Sequence, residues 1–414
     1  MKRIFLRVVN GVTVICILFS LLACVSGGAS AQTAIPKSII NTFGKDPATG
    51  RCFTWNTSTA VKNGVVEYCI QDEFKGFDKS NISRAAARSY EAKNDLDKRI
   101  IHKAELKNLK SGTEYVYRVG DAGGYSEKGT FKTAECDLKS FTFINITDTQ
   151  GVTVGDYAKW KNILDKALEK FPDARFLVHT GDIVDNGDKT SQWDNFSGAA
   201  KSELMNLPIV PVVGNHDVLN KNLTNYSAKN FTDRFNLPTE QDTGAPAGTV
   251  YSFDYGNAHI AVMNTECGST NFKKQGEWLR SDMKKSSKTW KIVALHKGPY
   301  GATYDTTDIR KAWVPLFDEL GIDLVLQGHD HNYVRSYPLK KGAVVNPGKG
   351  TLYMVGNSGG VKFYPPKSRS WQEVDLQPKT QMYIAVTVSD MEMVINAYDS
   401  KNTLRDSVTI KKSF

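Results

Sequence analysis

Residues 175–182, RFLVHTGD, are an apolar run that ends on a glycine and a carboxylate, and the chain repeats this design four more times. FTFINIT runs into Asp148, PIVPVVG into Asn215 and His216, KIVAL into His296, and IDLVLQG into His329, Asp330 and His331. Short Val/Ile/Leu/Phe runs without polar alternation are the pattern of strands buried on both faces in a parallel sheet. Loops converge over the carboxyl ends of such strands, so polar residues placed there share one surface. Four of the seven histidines, His216, His296, His329 and His331, lie at these ends.

Helical spacing separates the runs. Apolar residues recur with a helical period in 156–171, 192–206, 271–285 and 308–321. Alternation of strand and helix predicts a layered α/β domain over 140–414. Its last part, with strand-like stretches at 351–360, 381–390, 391–400 and 405–412, reads as an antiparallel meander. Two packed sheets of mixed direction, covered by helices, accommodate both halves. His179, inside the second run, reads as a buried, hydrogen-bonded side chain.

Residues 36–134 have a different texture. Short alternating strands are punctuated by Asn63-Gly64 and Gly123-Gly124, which predicts a small antiparallel sandwich with Trp55 in its core. The first 31 residues carry Lys2, Arg3 and Arg7, an apolar stretch from about Val8 to Cys24, and the small residues Ala29-Ser30-Ala31. This is the layout of a secretory signal peptide. Leu21-Leu22-Ala23-Cys24 also fits a lipoprotein signal cleaved before Cys24, with membrane attachment through a lipid on that residue. By either route the protein is expected outside the cytoplasm: secreted, periplasmic or lipid-anchored at the cell surface.

Loss of this segment lowers the formal net charge from +9 to about +6. Lysine pairs such as Lys284-Lys285 read as solvated faces, and no specific nucleic-acid binding is expected. Cys52, Cys69, Cys136 and Cys267 remain, free to pair in an oxidising compartment. They form no CxxC motif, which argues against a thiolate metal site.

The strand-end set is rich in oxygen and nitrogen donors and lacks sulfur, which suits hard divalent cations and iron. Two metals need a shared ligand, and Asp182, a strand-end carboxylate, suits that role. His329 and His331, two apart on extended backbone, leave the chain on the same side.

Asp148-x-Gln150, Gly181-Asp182-x-x-Asp185, Gly214-Asn215-His216-Asp217, His296 and Gly328-His329-x-His331 resemble, in order, the motifs of the calcineurin-like metallophosphoesterase superfamily. LKNLKSGTEYVYRVG, residues 106–120, is similar to a fibronectin type III signature, in which Tyr115 makes a tyrosine corner. The two together resemble the purple acid phosphatase arrangement: an all-β fibronectin III-like sandwich, then a four-layered αββα catalytic domain. The resemblance implies two divalent or trivalent metal ions of Mn, Fe or Zn. Asp148, Asp182 and His331 would hold the first, with Gln150 offering an amide oxygen, and Asp182, Asn215, His296 and His329 the second. It also implies a hydroxide bridging the pair that attacks a phosphate mono- or diester, with His216 as general acid.

Three departures mark this chain. Gln150 stands where many members have histidine. Asp185 replaces the tyrosine ligand of purple acid phosphatases, so no charge-transfer colour is expected. Asn186 replaces the phosphate-gripping arginine of Ser/Thr phosphatases. A hydrogen bond from the Asp185 carboxylate to His216 is predicted, and Tyr300, Tyr304 and Tyr333 are expected to shape a substrate pocket. The rival reading is a catalytically impaired binding or adhesion protein of the cell envelope.

Overall fold

The computed structural model describes residues 35–220 and 226–412. The expected signal segment and Cys24 lie outside these. Among the described residues no helix is long and apolar enough to cross a membrane.

Residues 37–132 are all β. One sheet orders its strands Lys37–Thr42, Arg51–Ser58, Lys98–Leu106, Arg88–Lys93. The other is built on Val65–Ile70 and Glu114–Asp121. Trp55, Phe53, Val66, Tyr115 and Phe131 fill the space between them. Tyr115 makes the expected corner, its hydroxyl accepting from the Lys110 amide at 2.9 Å. Among the described residues the four cysteines are unpaired: Cys52 and Cys69 are buried, Cys136 is exposed and Cys267 lies between.

The second part of the chain contains two mixed sheets. The first runs Ile209–Pro211, Leu177–His179, Ser140–Ile146, Met382–Ser389, Glu392–Asp399, Leu404–Lys411. Its first three strands are parallel and the rest antiparallel. The second runs Tyr251–Tyr255, Ala258–Val262, Trp290–Ala294, Leu324–Gln327, Leu352–Gly356, Tyr333–Ser336, Gln372–Leu376. Ala258–Val262, Trp290–Ala294, Leu324–Gln327 and Leu352–Gly356 pair in parallel. The apolar runs are therefore the buried central strands of both sheets, and the meander closes the first one.

Period-two alternation builds the layers. Ile292, Ala294, Leu324 and Leu326 join Phe143, Val386 and Ile384 in the core between the sheets. Val293, Leu295 and Val325 face the other way, onto Leu279, Trp313 and Phe317 of the helices Phe272–Lys285 and Thr307–Leu320. Tyr157, Trp160 and Leu164 of the helix Val154–Lys170 cover the first sheet. Thr153 caps that helix with Asp156 in a capping box, and Gly321, at φ 64°, ends the helix before it in left-handed geometry. The predicted helix 192–206 is two helices, Thr190–Ala199 and Lys201–Asn206, because the chain leaves helical geometry at Ala200.

The two parts share a polar contact. Arg99 pairs with Asp194, Tyr90 donates to Asp233, and Tyr117 donates to the Met205 carbonyl.

Candidate metal centre

The strand ends meet at one point because small residues let them. A Cβ on Gly214 would stand 2.2 Å from the Asp182 amide nitrogen, and one on Gly328 would stand 2.3 Å from Thr147 Oγ1. Only glycine permits this approach. Immediately after, Asp148, Asp182, His329 and His331 take φ between 50° and 74°. Left-handed backbone is costly for residues with side chains and clusters at functional sites. Three of the five strands thus end in a left-handed turn that throws a polar side chain over the sheet edge.

The side chains form two buried groups of ligand atoms that share one member. Asp182, His296 and His329 make one, and Asp148, Asp182 and His331 the other, the atoms of each lying within 4.8 Å of one another. His296 Nε2 is 3.2 Å from Asp182 Oδ2 and 3.3 Å from Asn215 Oδ1. His331 Nε2 is 3.3 Å from Asp148 Oδ1. His296 Nδ1 donates to the Thr180 carbonyl at 2.8 Å, and His331 Nδ1 to the Lys362 carbonyl at 3.1 Å. Backbone acceptors on Nδ1 leave the Nε2 lone pairs facing the carboxylates, the orientation metal-binding imidazoles need. Main-chain amides brace the acids: His216 N donates to Asp182 at 2.9 Å, and His329 N to Asp148 at 3.0 and 3.1 Å.

Burial pushes the Asp148 carboxyl up to about 8, against the pull of His296. Burial also opposes ionisation of Asp182, but His296 and the other imidazoles outweigh it and hold that carboxyl far below its usual range. Burial opposes protonation of His296 as well, yet Asp182 and Asp148 raise it to about 10. Burial, helped by neighbouring positive charge, takes His331 down to about 4 and His329 well below its ordinary value. Gln150 is 1% exposed, and neither its Oε1 nor its Nε2 has a partner. Its main-chain amide donates to the Asp182 carbonyl at 3.0 Å, and an unpartnered amide oxygen on a residue tied to that ligand fits a cation, since buried polar groups are otherwise paired.

The expected roles of three other residues are corrected here. His216 Nδ1 lies 2.7 Å from the Asp185 carbonyl oxygen, while the Asp185 carboxylate is 3.8 Å away and is bound by Lys362 at 2.5 Å. The main chain holds the ring, so the predicted carboxylate bond does not form. Tyr333 is fully buried and donates to Asp406 at 2.7 Å, so it shapes no pocket. Tyr300 is 5% exposed and packs against Tyr353 and Trp371, behind the site.

Tyr304 does reach the cluster, its ring 4.4 Å from that of His329, and Tyr364 stacks on His331 at 4.5 Å. Asp330 accepts from the amides of Ala302, Thr303 and Tyr304 and fixes that turn. Asp217 accepts from Gly214, Ile183 and Val184, tying two strand ends together. His179 is buried and bonded to Thr149 Oγ1 at 2.9 Å. Lys362 and Tyr364 escaped the sequence reading. A signal was present: LYMVG into Asn357 repeats the strand-end design a sixth time, and the chain then crosses the site through Ser358, Gly359 and Gly360.

Comparison with known proteins agrees with this geometry. Residues 141–333 match the calcineurin-like phosphoesterase family, and residues 36–133 the purple acid phosphatase N-terminal domain. Human acid phosphatase type 7 is 26% identical, over 80% of this chain and 77% of its own length. An uncharacterised protein of Mycobacterium tuberculosis is 25% identical, over 77% and 68%. A purple acid phosphatase from yellow lupin seeds has the same fold, with a TM-score of 0.78 at 18% identity over 91% of this chain and 74% of that one. The chain thus joins a region that matches the purple acid phosphatase N-terminal domain to one that matches the calcineurin-like phosphoesterases.

Proposed function

We propose that the chain is an exported hydrolase of phosphate mono- or diesters with a two-metal centre. Asp148, Gln150, Asp182 and His331 would hold one ion, and Asp182, Asn215, His296 and His329 the other. The observation that carries this reading is the membership of Asp182 in both buried groups of ligand atoms. Ions of Mn, Fe or Zn bound there supply Lewis-acid stabilisation of phosphoryl oxygens and lower the pKa of water.

His216 handles the proton. Its Nδ1 hydrogen is committed to the Asp185 carbonyl, so Nε2 is the nitrogen that exchanges protons. The doubly protonated ring gives the Nε2 proton to the leaving oxygen and returns to the neutral tautomer that the carbonyl already favours. Residues 1–31 support export by their signal-like layout, with lipid attachment at Cys24 as the second route.

Protein stripped by chelation and reloaded with Mn²⁺ or Zn²⁺ should hydrolyse an aryl phosphate or a bis-aryl phosphate. A folded, reloaded protein that turns over neither would overturn the enzyme reading in favour of a binding protein.

A further inference from the structure

Asp185 places a carboxylate at the rim of a site read above as taking an anionic phosphoryl group. Its side chain is 23% exposed, and Oδ1 lies 3.8 Å from His216 Nδ1. Left alone, that charge repels an incoming phosphate. Both oxygens are occupied, however: Lys362 Nζ is 2.5 Å from Oδ1, and Asn186 Nδ2 donates to Oδ2 at 3.0 Å.

Lys362 is positioned with unusual firmness for a lysine. The backbone before it is tied down by the Gly359 amide donating to Thr147 O at 2.7 Å and by Ser358 Oγ donating to Asp148 O at 3.0 Å. Its own carbonyl accepts from His331 Nδ1, and the Tyr364 amide donates to His331 O at 3.2 Å. Only the aliphatic stem is free, and it is a third exposed. The same segment that orients a candidate metal ligand therefore delivers the ammonium group.

We propose that Lys362 is a specificity-determining residue, which masks the Asp185 carboxylate so that a doubly charged phosphate, as in a monoester, can reach His216 and the cluster. This rests on the phosphoesterase reading. Repulsion by an unmasked carboxylate scales with the charge on the ligand, so a dianion suffers more than the monoanion of a diester.

The test uses binding, with the metal-reloaded protein in a calorimeter. Inorganic phosphate at about pH 8, where it is doubly charged, is compared with dimethyl phosphate, a monoanion. Lys362→Met should weaken phosphate binding about tenfold and dimethyl phosphate binding much less. The double variant Lys362→Met/Asp185→Asn should recover most of the loss, and Lys362→Arg should match the parent. A tight-binding Lys362→Met protein, equal losses for both anions, or no recovery on removing the Asp185 charge would overturn the inference. So would loss of bound metal in Lys362→Met, which would place the effect on His331. Lys362→Gln repeats the test if the methionine variant does not fold. Turnover is measured separately, so a protein that binds phosphate as described but hydrolyses nothing would sink the enzyme reading and leave this one standing.

Discussion

The imidazole of His216 is held by the main chain of Asp185, through a 2.7 Å contact between Nδ1 and the carbonyl oxygen, while the carboxylate of the same residue points to Lys362. Backbone and side chain of one residue therefore serve different partners. Substitution separates them. His216→Ala should leave metal content unchanged and lower kcat by roughly two orders of magnitude or more, the usual cost of a lost general acid. Asp185→Asn keeps the carbonyl and should lower kcat by less than about tenfold. Equal losses in steady-state kinetics would return the orienting role to the carboxylate.

The two groups of ligand atoms differ in quality, and metal binding should reveal it. Asp182, His296 and His329, with Asn215 Oδ1 next to His296, offer two imidazoles to one ion, whereas Asp148, Asp182 and His331 offer one, and the further donor expected there is the unpartnered amide of Gln150. An amide oxygen is a weaker donor than imidazole for these cations. Metal analysis after dialysis against graded chelator should find one ion lost well before the other. Gln150→His should bring the two losses together, and Asp182→Ala should remove both. Simultaneous loss from the parent protein would contradict the asymmetry.

Most of this centre was legible in sequence because parallel strands leave two signals at once. Uninterrupted runs such as 291–295 and 322–328 declare burial, and a polar residue directly after them declares the functional edge. What stayed hidden was side-chain direction. Tyr300 and Tyr304 are four residues apart on one loop, yet Tyr300 packs into the helix-side core and Tyr304 onto His329. Asp330, whose carboxylate holds the 302–304 amides, decides that turn from 26 to 28 residues away. Lys362 meets Asp185 across 177 residues of chain, a pairing no local pattern encodes. Tyr333 follows directly on the His331 loop, but it already lies in the strand Tyr333–Ser336 and is aimed at Asp406.

Tyr304 takes on particular weight because of what His329 lacks. Among the described residues, no hydrogen bond reaches the His329 ring, unlike those of His296 and His331. Its orientation comes from packing, with the ring centres of Tyr304 at 4.4 Å and His296 at 5.1 Å. Loss of a residue that orients a metal-binding histidine typically weakens affinity about 10- to 100-fold. Tyr304→Ala should therefore weaken the second metal by about that factor in a competitive chelator titration. Tyr304→Phe, which keeps the ring, should not. A phenylalanine variant as weak as alanine would move the effect to the hydroxyl.

Outside the strand-end cluster, His259 should make stability depend on pH. Its Nδ1 lies 2.6 Å from Asp254 and its Nε2 2.8 Å from Asp282, and the ring itself is buried. Burial opposes its protonation, but hydrogen bonds donated by the ring to both carboxylates outweigh this and raise it to about 9. A raised value in the folded state means that the protonated ring stabilises the fold, fully below the unfolded value of about 6.5. That contribution disappears as pH climbs through about 9. Because Asp254 is nearly half exposed, solvent screening reduces the net effect to about 2 kcal/mol. Denaturant midpoints of the parent chain should fall as pH rises from 7 to 10. His259→Gln should be less stable by about 2 kcal/mol near pH 6 and close to the parent above the upper transition. A parent midpoint that stays flat across this window, or a His259→Gln deficit that persists at high pH, would show that packing rather than charge holds the ring between its two carboxylates.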